Sequence, residues 1–246
     1  MAVVGSRLVG TVQAVYRYPV KSMRGEALAE SPVEWPGLPD DRRYAFVRGG
    51  NLSTFPYLTG REVPELLRYT PFFAEAGPAR KPALMVRTPE GNEYDVGSKE
   101  LRASIAARYP HPFYLLRLGL TGTFDIAPLS VLTTGTLSAL SAALDMPLTP
   151  LRFRPTIYIA TPEGEAYPED AWVGQTLVFG DDDLRMFVSK RDGRCKMITL
   201  DPETTEEQPR VLREVVRTRD GCLGIYGVPT RLGTLRVGQA VRLLAE

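Results

Sequence analysis

Apolar residues in this chain fall into short runs punctuated by glycine and proline, not into long helical stripes. In Thr234–Leu244, Leu235 and Val237, then Val241 and Leu243, recur at the two-residue spacing of a half-buried strand. Short runs at Leu8–Tyr16, Tyr44–Val47, Ala83–Arg87, Phe113–Leu118, Thr156–Ala160, Thr176–Phe179 and Leu184–Val188 predict further strands. Three segments follow a helical period instead. Ser98–Tyr109 opens on a candidate N-cap and places Leu101 and Ile105 on one face. Thr136–Leu144 carries a stripe of Leu137, Leu140 and Leu144, and Pro209–Arg217 pairs Val211 with Val215 and Leu212 with Val216. The pattern predicts a mostly β (α+β) protein with a few peripheral helices. Many short strands with frequent turn signals point to barrels or sandwiches.

The 246 residues suffice for one large domain or two smaller ones, and the Gly- and Thr-rich Leu118–Phe124 is a candidate connector. Thirty Lys and Arg against 29 Asp and Glu leave a formal charge of +1, which argues against a general nucleic-acid or membrane-surface binder. No apolar stretch approaches the ~20 residues that cross a bilayer. The first residues lack the order of a secretory signal, so a cytoplasmic location is expected. There the two cysteines, Cys195 and Cys222, stay reduced.

Much familiar chemistry is missing. The single histidine, His111, lies between two prolines and reads as a loop residue. Zinc sites built from several His and Cys are excluded by count. Neither GxGxxG nor GxxxxGK[ST] occurs. The acids Asp181–Asp183 read as a solvated turn.

One segment departs from this background. In Ser189–Lys196, SKRDGRCK, the cations Lys190, Arg191, Arg194 and Lys196 crowd around Cys195, with Gly193 just before it. Nearby cations favour a thiolate, the form that attacks electrophiles or binds soft metals, and they also suit a phosphate. From the residues alone a charged hairpin turn with an inward cysteine is an equal reading.

The stretch RFRPTIYIATPEGEAYPEDAW, then GRCKMITLDPET and CLGIYGVPTRLGTLRVGQAVRLL, resembles a MOSC domain, named for the C-terminal domain of molybdenum cofactor sulfurases. The earlier VQAVYRYPVKSMRGEAL, GLPDDRRYAFV and TGREVPEL resemble the β-barrel domain that precedes MOSC in relatives of the mitochondrial amidoxime-reducing component. The resemblance covers nearly the whole chain. It implies two β-barrel-like domains, 1–120 and 121–246, with the molybdenum cofactor (Moco) in a cleft between them. It further implies that Cys195 ligates molybdenum and is the catalytic residue, and that Lys21, Arg154 and Arg194 neutralise the phosphate. By the same resemblance Ser22, Thr156, Gly193 and Tyr226, with Thr133 and Thr134 at a helix start, contact the cofactor. Three departures stand out: Thr156 where relatives commonly carry Asn, Asp201-Pro202-Glu203-Thr204-Thr205 without the usual glycine, and Cys222 near a common Asn.

The implied activity is reduction of N-hydroxylated or related N-oxygenated compounds. Two cysteines cannot build an iron–sulfur cluster, so electrons would come from a separate transfer protein. No zinc or pyridoxal-phosphate domain is expected, nor a nucleic-acid or membrane partner. The alternative is a carrier that stores Moco and delivers it to an acceptor enzyme, or a sulfur-transfer protein.

Overall fold

The computed structural model describes residues 5–74, 82–119, 122–180 and 184–244. Its strands and helices run in the order β1 (Ser6–Arg17), β2 (Glu26–Leu28), β3 (Glu30–Val33), β4 (Tyr44–Arg48), β5 (Thr70–Phe73), β6 (Leu84–Arg87), β7 (Glu93–Asp95), α1 (Lys99–Ala106), β8 (Phe113–Arg117), β9 (Leu129–Thr133) and α2 (Thr134–Leu144). They continue with β10 (Ile157–Ala160), β11 (Thr176–Phe179), β12 (Leu184–Gly193), α3 (Pro209–Arg219), β13 (Cys222–Arg231), β14 (Gly233–Arg236) and β15 (Ala240–Leu244). The mostly β character and peripheral helices expected from the sequence are what form.

Seven strands close into a barrel in the order β10-β9-β13-β12-β11-β15-β1, with β1 returning to β10 and β2 added along β1. Closure leaves no edge among those seven to be covered. Strand β1 serves three partners in turn: its start pairs with β15, its middle with β10 and its end with β2. Two register shifts, at Leu8/Gly10 and Val12/Ala14, give it the curvature to do so. At Gly10 a Cβ would lie 2.2 Å from the carbonyl oxygen of Ala160, so the glycine lets the closing strands meet. Inward-facing Val9, Val12, Ile157, Leu177, Met186, Ile225 and Val241 fill the interior with Trp172.

Residues 44–117 build a second β-rich body around their own core, with the pair β4–β8 and the meander β5-β6-β7 packed with α1. Leu101 and Ile105 on α1 join Phe46, Leu58, Leu66 and Val86 there, and Ser98 caps the helix by accepting from the Leu101 amide. On the outside of the barrel, α2 and α3 share a third cluster with Phe153, Tyr158 and Leu223.

The single run expected over Thr234–Leu244 divides into β14 and β15 around Gly238, which sits at φ +87°. The halves pair with different strands, β14 with β3 and β15 with β1 and β11. The boundary expected between residues 120 and 121, and the acidic turn at Asp181–Asp183, lie outside the described residues.

Candidate functional site

Between the barrel and the second body lies a cavity of about 370 Å³. That falls within the roughly 300–1,000 Å³ usual for small-molecule sites. Its walls meet because residues 18–24 leave β1 and plug into the second core. Val20 and Met23 are buried in that core, and the amides of Lys21 and Arg24 donate to Tyr44 and Tyr69 carbonyls. Those two anchors hold Lys21 and Ser22 on the cavity wall.

Here the site is cationic. Lys21 donates to the Thr123 carbonyl at 2.7 Å and to Asp125 at 2.6 Å, and packs over the rings of Phe55 and Tyr57. Burial pulls its ammonium below the usual lysine range, with Asp125 opposing. Two guanidinium groups stack on Tyr18, Arg42 at 4.6 Å and Arg154 at 4.3 Å from the ring centre. Arg42 is paired with the fully buried Asp41, which also accepts from the Tyr18 amide. The Arg154 side chain donates one hydrogen bond, to the Met23 carbonyl at 2.7 Å, and among the described residues it makes no ion pair. Desolvation by burial pulls its guanidinium down to about 10. Ser22, Arg42 and Arg154 all hold left-handed backbone, at φ 67°, 52° and 55°. Such conformations cost about 1–2 kcal/mol each for non-glycine residues, and three of them converge on one cavity.

The same cavity carries the thiol. Strand β12 stops at Gly193, the Arg194 amide donates to Gly221, and Cys195 stands exposed before a 3-10 turn at Lys196–Thr199. The four cations crowded around the cysteine in sequence mostly turn to partners of their own. Lys196 pairs with Glu207, Arg191 with Asp170 and Asp220, and Lys190 is exposed on β12. Arg194 turns inward beside Asp192, 2.8 Å away. Asp192 is 2% exposed, and its Oδ1 has no hydrogen-bond partner. Desolvation pushes that carboxyl up to about 6, against the lowering effects of Arg194 and the Tyr226 hydroxyl set against it.

Eight residues expected from the sequence therefore border one cavity: Lys21, Ser22, Arg154, Thr156, Gly193, Arg194, Cys195 and Tyr226. Within it, Thr156 is fully buried and exchanges hydrogen bonds with Ser130 across β9 and β10. Thr133 and Thr134 are elsewhere. Thr133 caps α2, accepting from the Thr136 amide and donating to Glu169, while Thr134 bonds Thr161 on a separate surface depression. Their place at a helix start is as expected, but they do not line the cavity.

Other motif residues turn out to be supports. Glu169 is fully buried and receives the hydroxyls of Thr133 and Thr136. Asp170 holds Arg191 and Arg219, and Trp172 fills the barrel. In RFRP, Arg152 grips Asp201 and Gln208 as well as the carbonyls of Ile198 and Thr199. It thereby fixes the turn that follows the thiol. Sequence reasoning missed Arg42, Asp125 and Asp192 as cavity residues. Arg42 and Asp192 were in the quoted segments, and only their pairing in space marks them out. His111 stacks against Tyr109, away from this site.

Residues 9–111 match the MOSC N-terminal beta barrel domain, and residues 122–242 match the MOSC domain. The chain belongs to the MOSC family. Among known relatives, this MOSC protein is 30% identical to the mitochondrial amidoxime-reducing component 1 of Danio rerio over 48% of its own length and 37% of the relative's. It is 27% identical to the human counterpart over 50% of its length and 38% of that protein's. The mitochondrial amidoxime reducing component 2 of Rattus norvegicus is 23% identical over 97% of the chain and 84% of the relative. In three dimensions the YUAD protein from Bacillus subtilis shares the fold, with a TM-score of 0.54 at 12% identity over 97% of both chains. Among the described residues, no helix is long and apolar enough to cross a membrane.

Proposed function

We propose that this MOSC protein binds the molybdenum cofactor in the cavity, with Cys195 as the protein's ligand to the metal. One observation carries the reading: Arg154, a cation that makes no ion pair among the described residues, shares a cavity with an exposed thiol. A half-buried positive charge without an ion-pair partner carries a desolvation cost, and an anion beside it offsets that cost. The phosphate of Moco is such an anion, and Arg42 and Lys21 line the same cavity. Around the thiol, groups of three or more His, Cys, Asp or Glu able to hold a bare ion are absent among the described residues. A metal there has to bring its other ligands with it, as the dithiolene of Moco does. Thiolate is the soft donor that such a metal takes.

Bound, the cofactor supplies two-electron redox chemistry at molybdenum; the protein binds, orients and shields it. Ser22 and Tyr226 offer hydroxyls, and Gly193 a backbone approach, for the polar edges of the pterin, while the buried Thr156 supports the wall through Ser130. Phe55 and Met197 also border the cavity and add apolar surface to its wall. By analogy with its relatives, the protein is an oxidoreductase that removes oxygen from N-hydroxylated compounds, with electrons from a separate protein. The test is turnover of an aryl amidoxime by Moco-loaded protein supplied with a reduced electron-transfer protein and its reductase. Formation of the amidine, lost in Cys195→Ser, is the expected result. Loaded protein that turns over nothing but passes Moco to an apo-acceptor would be a carrier.

A further inference from the structure

The resemblance assigns Lys21, Arg154 and Arg194 together to the phosphate, yet their surroundings differ. The Arg194 side chain is 8% exposed; two of its three nitrogens donate to carbonyls, and the third, buried without a hydrogen bond, forms an ion pair. Nε donates to the Leu223 carbonyl at 2.7 Å, Nη1 donates to the Phe153 carbonyl at 2.8 Å, and Nη2 lies 2.8 Å from Asp192. Its charge is matched by that buried carboxylate, which would also repel a second anion. The room for this arrangement is specified too. Gly224 sits at φ +78°, and a Cβ there would lie 3.2 Å from Nη2 and 2.5 Å from the Val131 carbonyl oxygen.

We propose that Arg194 is a positioning residue that clamps the segment carrying Cys195 to β13 and to the Phe153 turn, and is not a phosphate ligand. The phosphate is then held by Lys21, Arg42 and Arg154 alone. This rests on the cofactor reading for the identity of the ligand, but the clamp itself is a property of the ligand-free protein. It joins three segments distant in sequence: the end of β12, the turn after Pro150–Arg152 and the start of β13. Cys195 follows immediately, its carbonyl accepting from the Ile198 amide as the next turn begins. Lysine cannot replace such a clamp, because one ammonium cannot reach two carbonyls and a carboxylate in the geometry of a guanidinium fork. For a phosphate contact, by contrast, lysine supplies the charge and would largely suffice.

Two measurements on ligand-free protein decide the matter. The first is hydrogen exchange in Arg194→Lys. The amides of Arg194 and Ile198 should exchange at least about tenfold faster than in wild type, as local opening becomes easier. Unchanged protection in a folded variant would overturn the clamp. The second needs no substitution at position 194. Inorganic phosphate is titrated into wild-type protein while the arginine side-chain Nε–H signals are followed by NMR, with Arg154 assigned through Arg154→Lys. The Arg154 signal should move and the Arg194 signal should stay. Comparable movement of both would refute the proposal even if Arg194→Lys failed to fold. If phosphate moved neither, the phosphate end of the cofactor reading would fall, and exchange at Arg194 and Ile198 would still judge the clamp.

Discussion

Asp192 offers a quantitative test of how the cavity is built. The perturbation is Asp192→Asn, which keeps the shape of the side chain and removes its titration. In the folded protein desolvation raises the carboxyl from 3.8 to about 6. A carboxyl with a raised folded pKa binds its proton more tightly when folded. Its contribution to stability is therefore complete below about pH 4 and is lost as pH rises through about 6. The full swing is roughly 3 kcal/mol, from about two pKa units at 1.36 kcal/mol each. Between about pH 4.5 and pH 7.5 some 2 kcal/mol of it is accessible. The absolute stability of the variant also includes a pH-independent term, because Arg194 loses its counter-ion 2.8 Å away. Comparing the two proteins at each pH removes every other titrating group in common. Denaturant unfolding of ligand-free wild type and variant at a series of pH values gives that difference directly. Wild type should gain about 2 kcal/mol relative to Asp192→Asn on acidification over this range. A difference that stays flat, or that moves in favour of the variant, would refute the claim that Asp192 is buried without adequate partners.

Other variants separate support from binding. Gly224→Ala places a side chain at φ +78° against the Val131 carbonyl and Arg194. It should cost about 3 kcal/mol and lower Tm by roughly 6–12 °C in thermal unfolding. Thr133→Val removes the cap of α2 and should cost about 1–2 kcal/mol while leaving pterin content unchanged, as its place outside the cavity requires. Arg154→Gln should leave ligand-free stability within about 1 kcal/mol of wild type, since the lost hydrogen bond and Tyr18 stacking are offset by removing a desolvated charge that has no ion-pair partner among the described residues. The same variant should retain at least about tenfold less pterin after dialysis, the effect of losing one charge-assisted contact of about 1.5–3 kcal/mol.

Strands β1, β10, β11, β12 and β15 of the barrel were legible in the sequence as short apolar runs, and so were all three helices. Strand β9, all five residues of which are buried, was not. Strand β13 was hidden by its glycines and by Pro229, which break the pattern inside a continuous ladder. Eight cavity residues could be named from motifs, because short motifs survive where overall identity is low. What the motifs could not give was direction. Four cations flank Cys195 along the chain, yet Lys196 and Arg191 pair outward and Arg194 pairs inward. Asp192 and Arg42 acquire meaning only from partners brought to them by the fold. Glu169 and Arg152 likewise sit in recognisable motifs but serve as buried struts.

The central claim is tested most directly by molybdenum and pterin content, measured in wild-type and Cys195→Ser protein purified from a host that makes Moco. The account predicts near-stoichiometric metal and pterin in the wild type. In the variant it predicts either little metal, or pterin with an altered metal coordination sphere. Wild-type protein holding neither metal nor pterin, under conditions that load other MOSC proteins, would contradict it.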